Sequence, residues 1–386
     1  MQYISQKLAP EKKWALLIYI AGDNNLSDYG LTDIQELCDE GSSDQVYVGV
    51  EIDTYGEHTG SIRYEITEPD WTGKAHRTVI DRLPEKDSGD PETLLSFLNW
   101  GLNRYKAENY LLVVWNHGSG FRHVRRDIGY DDFGSSLDMP EIENALRRAG
   151  INQDNKIAIM GFDACLMSML EIAHHFREQT DIIIGSQQTE PADGWPYDKV
   201  LKAVKQSRDS HTVAKKIVDE YISYYRNHGV FGLTQSAIQL IYTENAINRL
   251  SELGNLLAEE ISTCRNCLRE IRMDLQTFEM ADYVDIIHLC ELIAQKIDDQ
   301  NIKETANKVI ASTKDCILSS KTLGSSVQNA NGLSVWFPAY DFLYYNYRAK
   351  YLSLAFASDP SNMGWVKFLD KYHYSYGFNP YMMNMR

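Results

Sequence analysis

Two residues in this chain have the types and surroundings of a nucleophile and its base, and each follows an apolar run. Cys165 closes KIAIMGFDACL (residues 156–166), and His117 comes two residues after YLLVVW (110–115), inside NHGSG. An imidazole can take the thiol proton as the sulfur attacks a carbonyl carbon and return it to the leaving amine. Singly, neither residue compels that reading. A lone cysteine is commonly a small core hydrophobe, and a loop histidine is often satisfied by backbone. Gly118 leaves the N–H beside His117 free of Cβ interference, so it and the N–H of Cys165 are the expected oxyanion hole. A second His-Gly pair, His228-Gly229, follows a helical stretch and reads as capping chemistry. His174 and His175 are adjacent on one helical stretch, where their rings diverge. Cys264-x-x-Cys267 lacks a second ligand pair at zinc-site spacing.

These residues need elements to position them. The continuous apolar runs WALLIYIA (14–21), VYVGVEID (46–53), YLLVVW, IAIM (157–160) and DIIIGS (181–186) read as buried strands. Alternation in 61–67 and 76–80 reads as an antiparallel hairpin at a sheet edge. Asp90-Pro91 opens a helix with Leu94, Leu95, Leu98 and Leu102 on its apolar face. Further helices are expected over 29–38, 139–149 and 212–227. Behind Cys165, the spacing of Leu166, Met169, Leu170 and Ala173 predicts a helix, whose N-terminal dipole would favour the thiolate. Strands alternating with helices indicate a mostly parallel sheet covered on both faces, with sites at the carboxyl ends of its strands. His117 and Cys165 would then meet above one sheet edge.

At 386 residues the chain can bury a large core, and 44% hydrophobic with 24% charged residues is ordinary globular composition. A net charge of −16 argues against a nucleic-acid partner and favours basic substrates. Six cysteines in this length do not make a disulfide framework. No apolar run is long enough to span a membrane.

The joint pattern resembles the clostripain family of cysteine endopeptidases, within the caspase-like clan. The resemblance rests on LLVVWNHGSG (111–120) and IAIMGFDACL (157–166). It also rests on WALLIYIAGDNNL (14–26), GSQQTEPADGWPY (185–197), YVDIIHLCEL (283–292) and NGLSVWFP (331–338). It covers nearly the whole chain and implies a Cys165–His117 dyad. It also implies an α/β fold, with a caspase-like, mostly parallel central sheet, helices on both faces and a helical C-terminal region. Expected regions are a catalytic core over 1–240, a mainly helical region over 241–330, and over 331–386 a strand returning to the sheet with closing helices. One departure is Asn116, where many relatives carry an acid.

Asp163 lies two residues before the cysteine and Asp193 in the loop after the next strand. Two carboxylates beside a nucleophile suit a guanidinium or ammonium group, and the resemblance implies cleavage after Arg, sometimes Lys, with these positions as pocket acids. Trp195 is expected to wall the same pocket. Without a pocket, Asp193 reads as a turn former before Gly194 and Asp163 as an acid near a helix start. The basic stretch RHVRR (122–126) lies between the two catalytic strands, which makes Arg126, then Arg125, the expected self-cleavage sites, with both fragments held together afterwards. No cofactor is required by the residues. The resemblance allows calcium, for which 23–28 and 127–132 supply acidic oxygens, though no EF-hand pattern is present. It also implies a secreted or cell-envelope protein given without its signal peptide, with a cytoplasmic one as the alternative. Expected partners are proteins or peptides with basic residues. A non-catalytic binding protein on the same scaffold, and a hydrolase of small amides, are the other classes to set against a peptidase.

Overall fold

The computed structural model describes residues 12–55, 60–122 and 135–373. Five parallel strands form its centre: β1 (Lys12–Gly22), β2 (Val46–Thr54), β5 (Ala107–Trp115), β6 (Ile157–Asp163) and β7 (Thr180–Gly185). The hairpin β3 (Ile62–Ile66) and β4 (Arg77–Arg82) extends one edge antiparallel, as its alternation predicts. At the other edge, β8 (Leu233–Gln239) and β10 (Ile317–Leu323) are also antiparallel. The order across the nine-stranded sheet is β10-β8-β7-β6-β5-β1-β2-β3-β4.

Successive side chains of a strand face opposite ways, so each central strand feeds two cores. Leu16, Ile18 and Ile20 pack with Val113, Ile159 and Ile184 under α1 (Ser27–Glu40), α5 (Tyr197–Gln206) and α6 (Ser210–Asn227). Leu17, Tyr19, Leu112, Val114, Met160 and Phe162 face α2 (Pro91–Arg104), α3 (Met139–Arg148) and the short α4 (Leu170–His175). Asp90 caps α2 by accepting from Glu92 N, and Asp138 with Glu141 forms a capping box on α3.

The later helices α7 (Thr243–Glu259), α8 (Ile261–Asp274), α9 (Ile286–Lys296) and α10 (Gln300–Cys316) join the second of these cores. So do α11 (Asp341–Tyr351) and α12 (Gly364–Tyr372). Two details correct the expected C-terminal layout. Residues 317–323 leave the helical region to become the sheet-edge strand β10. The strand expected to return to the sheet, β11 (Ser334–Trp336), pairs instead with β9 (Tyr283–Asp285) in a separate two-stranded sheet. Trp336 and Phe337 are fully buried there, which explains why the run reads as a central strand. Among the described residues no helix is long and apolar enough to cross a membrane.

Candidate active site

Register decides which residues meet. Trp115 at the end of β5 pairs with Asp163 at the end of β6. His117 and Cys165 therefore each stand two residues beyond a paired position, on parallel neighbours about 4.8 Å apart. Both line one pocket of about 250 Å³ at the carboxyl end of the sheet, together with Asn25, Asp163 and Glu190.

The His117 loop is closely held. Asn116 uses both ends of its amide: Nδ2 donates to Ala21 O at the end of β1, and Oδ1 accepts from His117 N. A carboxylate at 116 could accept but not donate, so this setting suits the amide. The ring Nε2 of His117 lies 3.0 Å from Asn25 Oδ1. Gly118 approaches the other loop so closely that a Cβ on it would stand 2.3 Å from Cys165 O and 2.8 Å from Cys165 N. The need for glycine is thus contact between the two strand-end loops, not clearance for a substrate.

The helix expected directly behind Cys165 begins only at Leu170 and has six residues. Leu166 takes a left-handed φ of 66°. Leu166 N and Ser168 N donate to Gln188 O (3.1 Å) and Ser186 O (2.9 Å), so the stretch is tied to the segment after β7. A thiolate at 165 therefore lacks the expected helix-dipole support. Burial pushes the Cys165 thiol up, against the opposing hydrogen bond that Glu190 N donates to Sγ at 3.2 Å. Burial thus disfavours the thiolate, and attack by this sulfur would need a base to take its proton.

Asp163 is buried in the pocket wall. Its Oδ2 accepts from Trp195 N (3.1 Å) and Tyr197 Oη (2.9 Å), yet burial pushes its pKa up to about 6. Asp193 stands exposed on the following loop. Its neighbours Ala192 and Gly194 line the pocket, and it does not. Trp195 is fully buried beneath the pocket and is not part of its lining. Its ring fills the space left by Gly161, where a Cβ would lie 2.7 Å from it. Its Nε1 donates to Glu190 Oε2 at 3.1 Å. Sequence reasoning missed Asn25 and Glu190. Both sit in turn-rich stretches where composition gives no facing.

Arg125, Arg126 and the acidic stretch 127–132 lie outside the described residues. Arg122, at the start of the same segment, is buried and donates from Nη1 to Asp282 Oδ2 at 2.6 Å. Among the described residues no group of three His, Cys, Asp or Glu side chains is arranged to hold a metal ion. His228 caps α6 from an exposed position, its Nδ1 2.8 Å from Tyr224 O.

A thiol and an imidazole over one acidic pocket, at the ends of neighbouring parallel strands, define a caspase-like scaffold with a cysteine-hydrolase type of site. Residues 18–372 match the clostripain family, peptidase family C11, and the chain belongs to that family. It is 24% identical over 350 residues to clostripain of Hathewaya histolytica, covering 77% of this chain but only 65% of that relative's length. The fold matches that of an inactive zymogen C11 protease from Parabacteroides distasonis, with TM-score 0.71 and 19% identity over 89% of this chain and 97% of the other. It matches as well a secreted C11 cysteine protease from Bacteroides thetaiotaomicron, solved with an irreversible peptide inhibitor. Here the TM-score is 0.67 and the identity 19%, over 89% of this chain and 98% of the other.

Proposed function

We propose that this protein is a cysteine endopeptidase that hydrolyses peptide bonds after Arg or Lys. The observation that carries the reading is the Trp115–Asp163 register, which sets His117 and Cys165 at matching positions over one pocket. His117 takes the proton as Cys165 Sγ attacks the scissile carbonyl carbon. The N–H groups of Gly118 and Cys165 stabilise the oxyanion. The tetrahedral species collapses, His117 protonates the leaving amine, and a water then releases the acyl group through the same base. Asp163 in the pocket wall favours a cationic side chain, with Asp193 adding negative potential at the mouth. The peptide inhibitor bound by the Bacteroides relative supports a peptide substrate, and that relative's secretion supports an exported protein here.

The test is a peptide-library cleavage profile of the wild type beside Cys165→Ala and His117→Ala. Both variants should stay folded and lose at least about 100-fold in rate. Cleavage retained by Cys165→Ala would remove the nucleophile assignment.

Self-processing between the catalytic strands belongs to the same reading. Arg126, then Arg125, is the expected site, because Arg122 is occupied by its buried ion pair. A cut there would leave β5 on one fragment and β6 on the other, still paired in the sheet. Mass spectrometry should find co-purifying pieces of roughly 14 and 30 kDa in the wild type and an intact Cys165→Ala chain. An intact, fully active wild type would sink activation by cutting and leave the peptidase reading standing.

A further inference from the structure

The pocket holds a second carboxyl group, Glu190. Its backbone N–H reaches Cys165 Sγ, and its side chain turns inward from the loop after β7. Oε2 accepts from Trp195 Nε1 at 3.1 Å, and Oε1 lies 3.4 Å from Gln235 Nε2 on β8. Its carboxyl group and that of Asp163 line the same pocket, and both accept from Trp195, through Nε1 and the backbone N. Two carboxyl groups side by side in one pocket wall, with no cation between them, keep one proton rather than ionise together. Among the described residues, the groups facing the pair add no cation. They are Asp33 and Glu36 from α1, Tyr197 from α5, Tyr221 and Tyr225 from α6, and Cys165. Among the described lining residues, His117 alone can carry positive charge. Trp195, a buried indole with one N–H, fixes Glu190 toward the substrate side of the site rather than toward solvent.

We propose that Glu190 and Asp163 form a one-proton pair that sets the specificity of this pocket, and that a substrate's cationic side chain binds by displacing that proton to water. The inference rests on the reading of the pocket as a cation acceptor, and makes Glu190 a specificity-determining residue. The free pair carries one negative charge. On binding, its proton leaves to solvent, both carboxylates become acceptors, and a guanidinium with five N–H donors spans them. No bond of the substrate changes in this step. Burial and the neighbouring charge of Asp163 push Glu190 well above the usual carboxylate range, while Asp163 is raised only to about 6. Of the two, Glu190 is pushed further up and holds the pair's proton more tightly. A neutral side chain offers nothing to replace the proton and leaves a half-protonated acid pair against apolar surface.

The test is calorimetric binding of two product peptides to the wild-type protein, one ending in Arg and one in citrulline, in buffers of differing ionisation enthalpy. At pH 7 the Arg peptide should release about one proton more than the citrulline peptide. The Arg-over-citrulline preference should rise roughly tenfold from pH 6.5 to 7.5. The citrulline peptide cancels proton changes at His117, since both products end in the same carboxylate. In Glu190→Gln the amide oxygen still accepts from Trp195 and the NH2 can donate to Asp163. This variant should bind the Arg peptide with no excess proton release and with a preference flat over that pH range. Unchanged proton release in Glu190→Gln overturns the inference. So does an Arg preference without release in the wild type, which would leave the cation pocket intact. Equal binding of the two peptides would remove the cation-pocket reading itself.

Discussion

At the scale of single residues, the base is as much a matter of Asn25 as of His117. An amide oxygen 3.0 Å from Nε2 can only accept, so it calls for a proton on that nitrogen. Asn25 thus positions the ring rather than reacting. Asn25→Ala should lower kcat on the order of tenfold, since a misoriented base forfeits part of the 10²–10⁴-fold that general-base catalysis supplies. The acidic limb of the pH–rate profile, where a base is lost by protonation, should shift as the ring loses this hydrogen bond. Steady-state kinetics across pH decides it, and an unchanged kcat with a raised KM would make Asn25 a mere pocket contact. The proposed dyad is legible in the sequence, because His117 and Cys165 each follow an apolar run and strand ends are where such sheets place chemistry. Asn25 and Glu190 are not, because their role depends on which way a turn residue faces. In the stretch 185–197 the sequence offers two acids, Glu190 and Asp193. Only the buried Trp195 indole, reaching Glu190, shows which of them turns inward.

At the scale of elements, the His117 loop is braced by a piece of chain more than 160 residues away. Tyr283 Oη donates to Ser119 O at 2.6 Å, and Arg122 pairs with Asp282, which also accepts from Trp336 Nε1 at 2.8 Å. The small β9–β11 sheet thereby holds the segment that leaves β5. Removing one partner of a buried ion pair strands the other charge, at a cost of about 3–5 kcal/mol. Asp282→Ala should therefore lose on the order of that amount in chemical denaturation, and activity should fall further than folding accounts for at temperatures where the variant is still native. Activity per folded molecule equal to wild type would show that the brace stabilises without positioning His117. The sequence could not show this brace. The run 331–338 has the apolar content of a central strand, and nothing in it says whether it pairs with β6 or with a three-residue partner. The region behind Cys165 misled in the opposite direction. Leu166, Met169, Leu170 and Ala173 have helical spacing, but the segment's N–H groups bond to residues 186 and 188 before the helix starts. Where local spacing and tertiary pairing agreed, as in β1, β2, β5, β6, β7 and the edge hairpin, the reading and the structure coincide.

At the scale of the whole molecule, a net charge of −16 is joined to an unusual set of buried acids, and pH dependence of folding follows from them. Glu171 is fully buried between α4 and β11. Oε1 accepts from Trp336 N (2.9 Å) and Tyr351 Oη (2.8 Å), while Oε2 has no partner among the described residues. Burial pushes its pKa up to about 7, and Asp163 goes to about 6 for the same reason. A carboxyl raised on folding binds more protons in the native state across the interval between its unfolded and folded pKa values. Its contribution is therefore full below about pH 4.5 and is lost as pH rises through 7. The buried imidazoles of His174 and His175 run the other way. Burial holds them down to about 3 and about 4, so stability is full above about 6.5 and is lost as pH falls. The two tendencies oppose each other between about pH 4.5 and 6.5, where the histidines offset part of the acids' loss. Above 6.5 the histidines no longer change and the acids continue to ionise, so stability should fall toward pH 8, with the overall negative charge adding to the loss. Glu171→Gln isolates one contributor. Its amide oxygen still accepts from Trp336 and Tyr351, but nothing ionises. Between pH 5 and 8 the variant should lose less stability than the wild type, by up to about 3 kcal/mol for a shift of this size. Denaturant unfolding of both proteins across that range measures the difference. Parallel curves would mean that Glu171 stays protonated, or finds water, throughout.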